Sequence, residues 1–461
     1  MEIVLKRKIY QQLIDWKNGK LGKCALLIEG ARRVGKSTIA EAFAKENYAS
    51  YAIVDFHSAS KAIKDNFIDN VNSRNLDRFF QLLSVYTDTP LYPGKSLIIF
   101  DEVQRFPKAR ECIKDLVQDG RFDYLETGSL ISIKENVEGI LIPSEEKKIR
   151  MFPLDFEEFL WAQGKEALAS YIRDCFAKKA MLEDALHKEA KYLFREYMIV
   201  GGMPQSIVAY LSSHRSFAEA EKAKGLILDL YQADIGKADR RYRLKVSRLY
   251  KNIPGFLSSH DKRIVLKKMG APSTFDDYSD AFYWLGDSMI ANLCFRSNDP
   301  GAGLSLSQDD SAVKCYLLDT GLLVSMAFRS SLADPESLYK KLLTGGLSVN
   351  EGMFFENAVA QAIASNDCPL FYYSHFSEQS HKNDIEVDFL LSGLASGGGK
   401  ITPIEVKSST NYTTISYSRF VSRFPRKVAQ GYVIHPKQFK LEGGVTYLPC
   451  YMLFCLFQGI A

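Results

Sequence analysis

Along the first third of the chain, short apolar runs alternate with amphipathic stretches. CALLIEG, YAIVDF, SLIIFDE and FDYLETGS are separated by KSTIAEAFAKEN, NLDRFFQLLSVY and KARECIKDLVQDG. Apolar runs of about four to six residues between amphipathic helices are the pattern of a parallel sheet covered on both faces. After Phe152-Pro153 the period becomes helical, in LDFEEFLWAQ, EDALHKEAKYLFREYMIVGG and FAEAEKAKGLILDLYQADIG. This middle region reads as α-helical to about Gly270, with SDAFYWLGDSMIANL as one further helix. A β-like piece follows, NLCFRSNDPGAGLSLSQDDSAVKCYLLD, with Asn-Asp-Pro-Gly as its turn signal. From Gly352 a helix, MFFENAVAQAIAS, precedes the strand-like LFYYSHF, IEVDFLL, ITPIEVKSS, QGYVIHP and VTYLPCYMLF.

The chain's 461 residues point to about three domains. The pattern divides them into an α/β domain over 1–155, a helical region over 156–345 and a second α/β domain over 346–461. Helices followed by a β-hairpin make the middle region winged-helix-like by fold analogy. With 59 Lys+Arg against 55 Asp+Glu the net charge is +4, so an anionic partner must be met by a local patch. The eight cysteines form no CxxC pair, which predicts reduced thiols in a cytoplasmic protein. No apolar stretch of signal-peptide length opens the chain, and the apolar tail from Leu448 to Ala461 is too short to span a bilayer and reads as a final buried strand. The seven histidines show no metal-ligand spacing.

Gly30-Ala31-Arg32-Arg33-Val34-Gly35-Lys36-Ser37 fits GxxxxGK[ST], after a strand-like run and at the start of a helical one. Residues Gly30 to Thr38 are therefore expected to hold a nucleotide. Backbone amides would wrap the phosphates, Lys36 would reach the β/γ-phosphates and Ser37 would ligate Mg²⁺. The buried run Ser96–Phe100 ends in Asp101-Glu102, about 65 residues after the loop, where ligands sit in open α/β sheets. Asp101 would hold Mg²⁺ through water and Glu102 would act as general base. Asp123–Glu126 runs into Thr127-Gly128-Ser129, where Ser129 is either a γ-phosphate sensor or a helix N-cap.

GARRVGKST, LIIFDEVQRFP, LETGSLISI and MFPLDFEEFL resemble the prokaryotic AAA+-related ATPases whose C-terminal half carries a domain of unknown function. VGGMPQSIVAYL, LYKNIPGFLSS and YLLDTGLL are similar to the same family's middle region. The resemblance implies ATP binding, ATP hydrolysis and a winged-helix-like segment after the ATPase core. No arginine finger or second sensor arginine can be placed, which leaves ring assembly open. Asp319-Thr320-Gly321 reads as a turn and cap, and GGMPQS as an interhelical turn.

In the last domain, alternation puts Glu386 and Asp388 on one strand face and Glu405 and Lys407 on one face of the next. A hairpin loop centred near Ala395 or Ser396 places Asp388 about opposite Glu405, with Glu356 upstream as a third carboxylate. This order is similar to the PD-(D/E)xK nuclease pattern, in which Glu356, Asp388 and Glu405 would hold Mg²⁺ and Lys407 would stabilise charge on a phosphate. Val387 stands where that pattern has Pro.

Between Lys237 and Lys268 there are 11 Lys/Arg against Asp239 and Asp261, a local charge of +9. With Tyr242 and Tyr250 interleaved, the segment is a candidate DNA footprint; the alternative is a solvated helix face paired with acidic neighbours. The expected protein is an AAA+-like ATPase that couples nucleotide state to a DNA-binding, nuclease-like domain. Its rival is a nucleotide-dependent switch that recruits a protein partner.

Overall fold

The computed structural model describes residues 5–129, 143–259, 262–264, 266, 274–301, 303–329, 334–345, 350–378, 382–392 and 399–457. The chain divides into two compact units. One comprises Lys6–Phe152 with Asp287–Met289, and the other Met1–Leu5, Pro153–Gly286 and Ile290–Ala461.

The first unit is built on five parallel strands in the order β2-β3-β4-β1-β5. They are β1 (Ala25–Glu29), β2 (Ser50–Asp55), β3 (Ser96–Asp101), β4 (Asp123–Gly128) and β5 (Glu146–Arg150). Every residue of β1 is buried, and so are the first five of β3, as central strands covered on both faces require. One face carries an aromatic cluster in which the Phe67 ring lies 5.5 Å from Phe56, 5.0 Å from Phe79 and 5.3 Å from Phe100. Truncating so central a ring costs about 3–5 kcal/mol in comparable cores. Because β4 lies between β1 and β3, the end of β4 stands between the phosphate-loop motif and Asp101-Glu102.

In the second unit, helices that include Phe156–Ala162, Asp184–Val200, Phe217–Ile235 and Arg243–Ser258 precede an eight-stranded mixed sheet of order β12-β13-β11-β10-β9-β8-β6-β7. Its strands are β6 (Ala291–Ser297), β7 (Gln308–Leu317), β8 (Leu370–Ser377), β9 (Lys382–Ser392), β10 (Ile401–Val406), β11 (Gly431–His435), β12 (Lys440–Glu442) and β13 (Val445–Pro449). The helical region and this sheet fall in the same compact unit. The β6–β7 hairpin is not the wing of a separate module: β6 pairs in parallel with β8, so the hairpin forms one edge of the C-terminal sheet. The apolar tail also differs, because among its described residues the strand ends at Pro449 and Cys450–Phe457 is a buried 3₁₀ helix.

Asp319 caps the helix Thr320–Phe328 by accepting from Leu322 N at 2.9 Å, and it also accepts from Gly202 N at 2.6 Å. A Cβ on Gly321 would lie 2.5 Å from the backbone of Gly201, so GGMPQS and Asp-Thr-Gly form a glycine-dependent crossing inside the core. None of the eight cysteines is disulfide-bonded. Among the described residues no helix is long and apolar enough to cross a membrane.

Candidate functional site

Strand β1 ends at Glu29, and the loop from Gly30 leads into the helix Lys36–Asn47. Met151 N donates to Glu29 O at 2.8 Å, and Met151 O comes so close that a Cβ on residue 30 would meet it at 2.4 Å. Arg33 (φ 69°) and Gly35 (φ 100°) are left-handed, a backbone arrangement from which successive amides form anion-binding concavities. Arg7 clamps the loop from below, donating to Val34 O at 3.0 Å and Phe152 O at 2.6 Å. Ala31 and Val34 are buried, Arg32 is half-buried, and Arg33, Ser37 and Thr38 are exposed. Lys36 is buried and donates to Gly30 O at 3.0 Å and Ala31 O at 2.9 Å. Burial lowers its pKa to about 8, against the pull of Glu102 and Asp101 towards the charged form.

The acidic wall faces this lysine. Ser37 Oγ donates to Asp101 Oδ1 at 2.7 Å, and Thr127 Oγ1 also donates to Asp101. Glu102 is held in a left-handed conformation (φ 56°), which for a non-glycine residue costs on the order of 1–3 kcal/mol. Its amide donates to Thr127 Oγ1 at 3.3 Å. Gln104 Nε2 donates to Glu102 Oε2 at 2.6 Å and to Ser129 Oγ at 3.2 Å. Ser129 is fully buried and Thr127 stands beside Asp101, and Ser129 reaches the acidic wall through Gln104. Sequence reasoning passed over Gln104 and Arg7. Gln104 lies three positions beyond Asp101 in the same motif, a signal that was available, whereas nothing local marks Arg7.

A serine hydroxyl and a carboxylate, both hard oxygen donors, converge within hydrogen-bond distance beside the loop. Ser37 and Asp101 fit the ion.

In the second unit, β9 and β10 pair from Ile401↔Ser392 to Ile404↔Phe389, and Val406 N donates to Asp388 Oδ2 at 2.8 Å. Glu405 therefore lies beside Asp388, and burial followed by the Asp388 charge raises the Glu405 pKa to about 8. Lys407 Nζ donates to Glu405 Oε1 at 2.7 Å, while Glu405 Oε2 is buried and has no hydrogen-bond partner among the described residues. Glu356, on the helix Gly352–Ala364, takes another environment. It is ion-paired with Lys262, accepts from Tyr316 Oη, and lies 3.4 Å from Lys314 Nζ. Lys314, fully buried on β7, is also 3.1 Å from Glu386 and 4.0 Å from Asp388. Burial opposes ionisation of Glu356, but Lys262 and Lys314 outweigh it and lower its pKa to about 2. Burial and then Glu356 push Asp388 up to about 6.

The expected Mg²⁺ set of Glu356, Asp388 and Glu405 is thus corrected. Among the described residues no three His, Cys, Asp or Glu side chains are grouped to hold a metal ion, and two ammonium groups stand among the carboxylates instead. The residues do not fit a metal in this arrangement.

The basic segment is also altered. Lys237 pairs with Asp234, Arg241 with Asp239 and Lys262 with Glu356, and Lys245 donates to a backbone carbonyl at Asp277. Tyr250 is buried in the core and is not a stacking platform. Arg240, Arg248 and Lys251 are exposed. Asp261, Lys267 and Lys268 lie outside the described residues.

Residues 23–160 match a family model described as an AAA domain. Residues 191–333 and 351–453 match two families described as domains of unknown function, DUF8612 and DUF4143. Among solved structures, a Walker-type ATPase of Pyrococcus abyssi is similar at 14% identity and a TM-score of 0.42, over 70% of this chain and 96% of that one. The Thermotoga maritima RuvB Holliday junction branch migration motor is similar at 11% identity and a TM-score of 0.30, over 62% and 89%. A signal-transduction ATPase with a tetratricopeptide repeat sensor from Pyrococcus horikoshii is similar at 13% and 0.27, over 79% and 48%. No curated protein matches the chain. Residues 23–160 are thus similar to AAA domains, and the parallel sheet with a phosphate loop at the end of β1 supports nucleotide binding by the first unit.

Proposed function

We propose that the chain hydrolyses ATP at the Gly30–Thr38 loop and uses the nucleotide state to alter DNA binding by its second unit. The observation that carries the ATPase half is the convergence of Lys36, Ser37, Asp101 and Glu102, with Thr127 and Gln104 tying the acidic residues in place. Lys36 exchanges its two loop carbonyls for phosphate oxygens. Ser37 and Asp101 would hold Mg²⁺, which would screen the charge of the β- and γ-phosphates. Glu102 accepts the proton of the attacking water, and the Gln104 amide fixes which carboxylate oxygen is free to do so.

The DNA half is supported by the exposed Arg240, Arg248 and Lys251 around the helix Arg243–Ser258. Cleavage of DNA is no part of this reading. The ion pairs that occupy Lys237, Arg241 and Lys262 favour a second reading, a nucleotide switch that recruits a protein partner.

Fluorescence anisotropy with a labelled duplex, titrated with the Glu102→Gln protein in ATP and in ADP, separates the two. The DNA reading expects affinity that differs between nucleotides, falls steeply with salt, and drops about tenfold or more when Arg240, Arg248 and Lys251 are changed to Glu. No binding at low salt in either nucleotide removes it and leaves the protein-partner switch.

A further inference from the structure

On the helix Asp184–Val200, Lys188, Lys191, Tyr192 and Arg195 recur at three- and four-residue spacing and share one face, opposite the buried Ala190, Leu193, Phe194 and Tyr197. A charged helix face ordinarily meets open water. This one is instead a wall of a cavity of about 720 Å³ in the second unit, closed by the chain at Gly345 and Gly352 and by the turn Ser408–Thr410 that follows β10.

The cations on this wall are not equivalent. Arg195 is engaged: it pairs with Glu351 at 2.8 Å and donates to Leu342 O at 3.4 Å and Leu343 O at 3.3 Å. Lys188 and Lys191 have no ion-pair or hydrogen-bond partner among the described residues. Glu351 is the one carboxylate among the described lining residues, and Arg195 already takes it, so two ammonium charges face the cavity uncompensated. Like charges three positions apart on a helix repel each other. Burial and then the Lys191 charge lower the pKa of the adjoining His187, a second sign of a positive field here. The turn after β10 contributes hydroxyls. A Cβ on Gly352 would lie 3.6 Å from Ser408 Oγ, which puts this hydroxyl at the first turn of the helix Gly352–Ala364. Neither Ser408 nor Thr410 uses its hydroxyl in a hydrogen bond among the described residues.

We propose that this cavity is a binding site for a nucleoside monophosphate, separate from the Gly30–Thr38 loop. Lys188 and Lys191 hold the phosphate with the Ser408 and Thr410 hydroxyls, and the base lies on the ring of Tyr192. Two ammonium groups balance the two charges of a phosphate monoester, and charge-assisted hydrogen bonds to its oxygens are the strong kind. The volume falls within the roughly 300–1,000 Å³ of small-molecule sites. Tyr192 is 48% exposed beside the lysines, an aromatic surface on which a base can stack. A bare phosphate would leave that ring and most of the cavity unused. The inference is independent of the ATPase and DNA readings.

The test is amine acetylation of the full-length chain with and without AMP, the modification of Lys188 and of Lys191 being read separately by peptide mass spectrometry. AMP above its dissociation constant is expected to slow acetylation of both lysines about threefold or more, whereas adenosine is not. The same protection is expected in Lys36→Ala, whose phosphate loop is disabled, and less of it in Tyr192→Ala. Unchanged acetylation with AMP overturns the proposal. So does protection that adenosine or inorganic phosphate gives equally, or that survives in full in Tyr192→Ala, since the cavity then does not read both parts of the ligand. Protection that disappears in Lys36→Ala also overturns it, because the effect then originates at the phosphate loop.

Discussion

The Ser37 hydroxyl donates to the Asp101 carboxylate at 2.7 Å, joining the first turn of one helix to the end of a strand 64 residues further along the chain. Sheet order makes this contact possible, since only β4 separates β1 from β3 and its terminal Thr127 holds Asp101 from the other side. Asp101→Asn keeps the size and a hydrogen-bond acceptor but removes the charge. Its expected effect is a fall in ATP turnover of about 10²-fold, in line with the loss of one electrostatic contribution at a reacting phosphate. Nucleotide binding measured without Mg²⁺ should change by less than about threefold. An equal loss in both measurements would make Asp101 a structural residue.

Gln104 is the only described side chain seen to hydrogen-bond both Glu102 and Ser129. Gln104→Ala should therefore lower kcat about tenfold, a part of the ~10²–10⁴-fold that a general base contributes, and leave KM for ATP nearly unchanged. Steady-state kinetics would show the split, and a rise in KM with constant kcat would place Gln104 in binding instead.

Gly30 has no room for a methyl group, because Met151 O lies 2.4 Å from the position of its Cβ. Gly30→Ala should push β5 away from the loop, lower unfolding free energy by about 1–3 kcal/mol and weaken nucleotide binding. Urea denaturation with a fluorescent-nucleotide titration checks both effects; a variant of wild-type stability and affinity would show that the loop adjusts freely.

Glu126 is fully buried on β4, beside Glu146. Burial, and then the neighbouring Glu146, push its pKa well above the usual range, with Arg110 acting in the opposite sense. The folded state thus holds a proton that the unfolded chain releases near the ordinary glutamate value of 4.5. Between that value and the raised folded one, the native state binds more protons, so stability falls with rising pH at up to about 1.4 kcal/mol per unit. Glu126→Gln removes this loss. It should raise the melting temperature at pH 8 relative to wild type and change it little at pH 4, and thermal melts at the two values check the sign.

The apolar runs that became β1, β3 and β4 were legible because both faces of a central strand must be apolar. The edge strand β5, Glu-Lys-Lys-Ile-Arg, was not, since an edge with an exposed face tolerates charge. The β6–β7 hairpin was found, but its partner β8 lies some 75 residues away, and local pattern says nothing about such pairings. The same limit applies to the carboxylates. Alternation put Asp388 near Glu405, yet the lysines that neutralise the cluster come from β7 and from a segment before the sheet. The phosphate loop was legible because its function needs consecutive residues, whereas Arg7 and Gln104 support it through contacts made only after folding.

The central claim is ATP hydrolysis at this loop with Glu102 as base. Phosphate release from ATP by the purified full-length chain, measured in parallel for wild type, Glu102→Gln and Lys36→Ala, tests it most directly. The account predicts Mg²⁺-dependent release by wild type, a loss of about 10²-fold or more in Glu102→Gln with nucleotide still bound, and loss of both binding and release in Lys36→Ala. Equal release by all three proteins would contradict it.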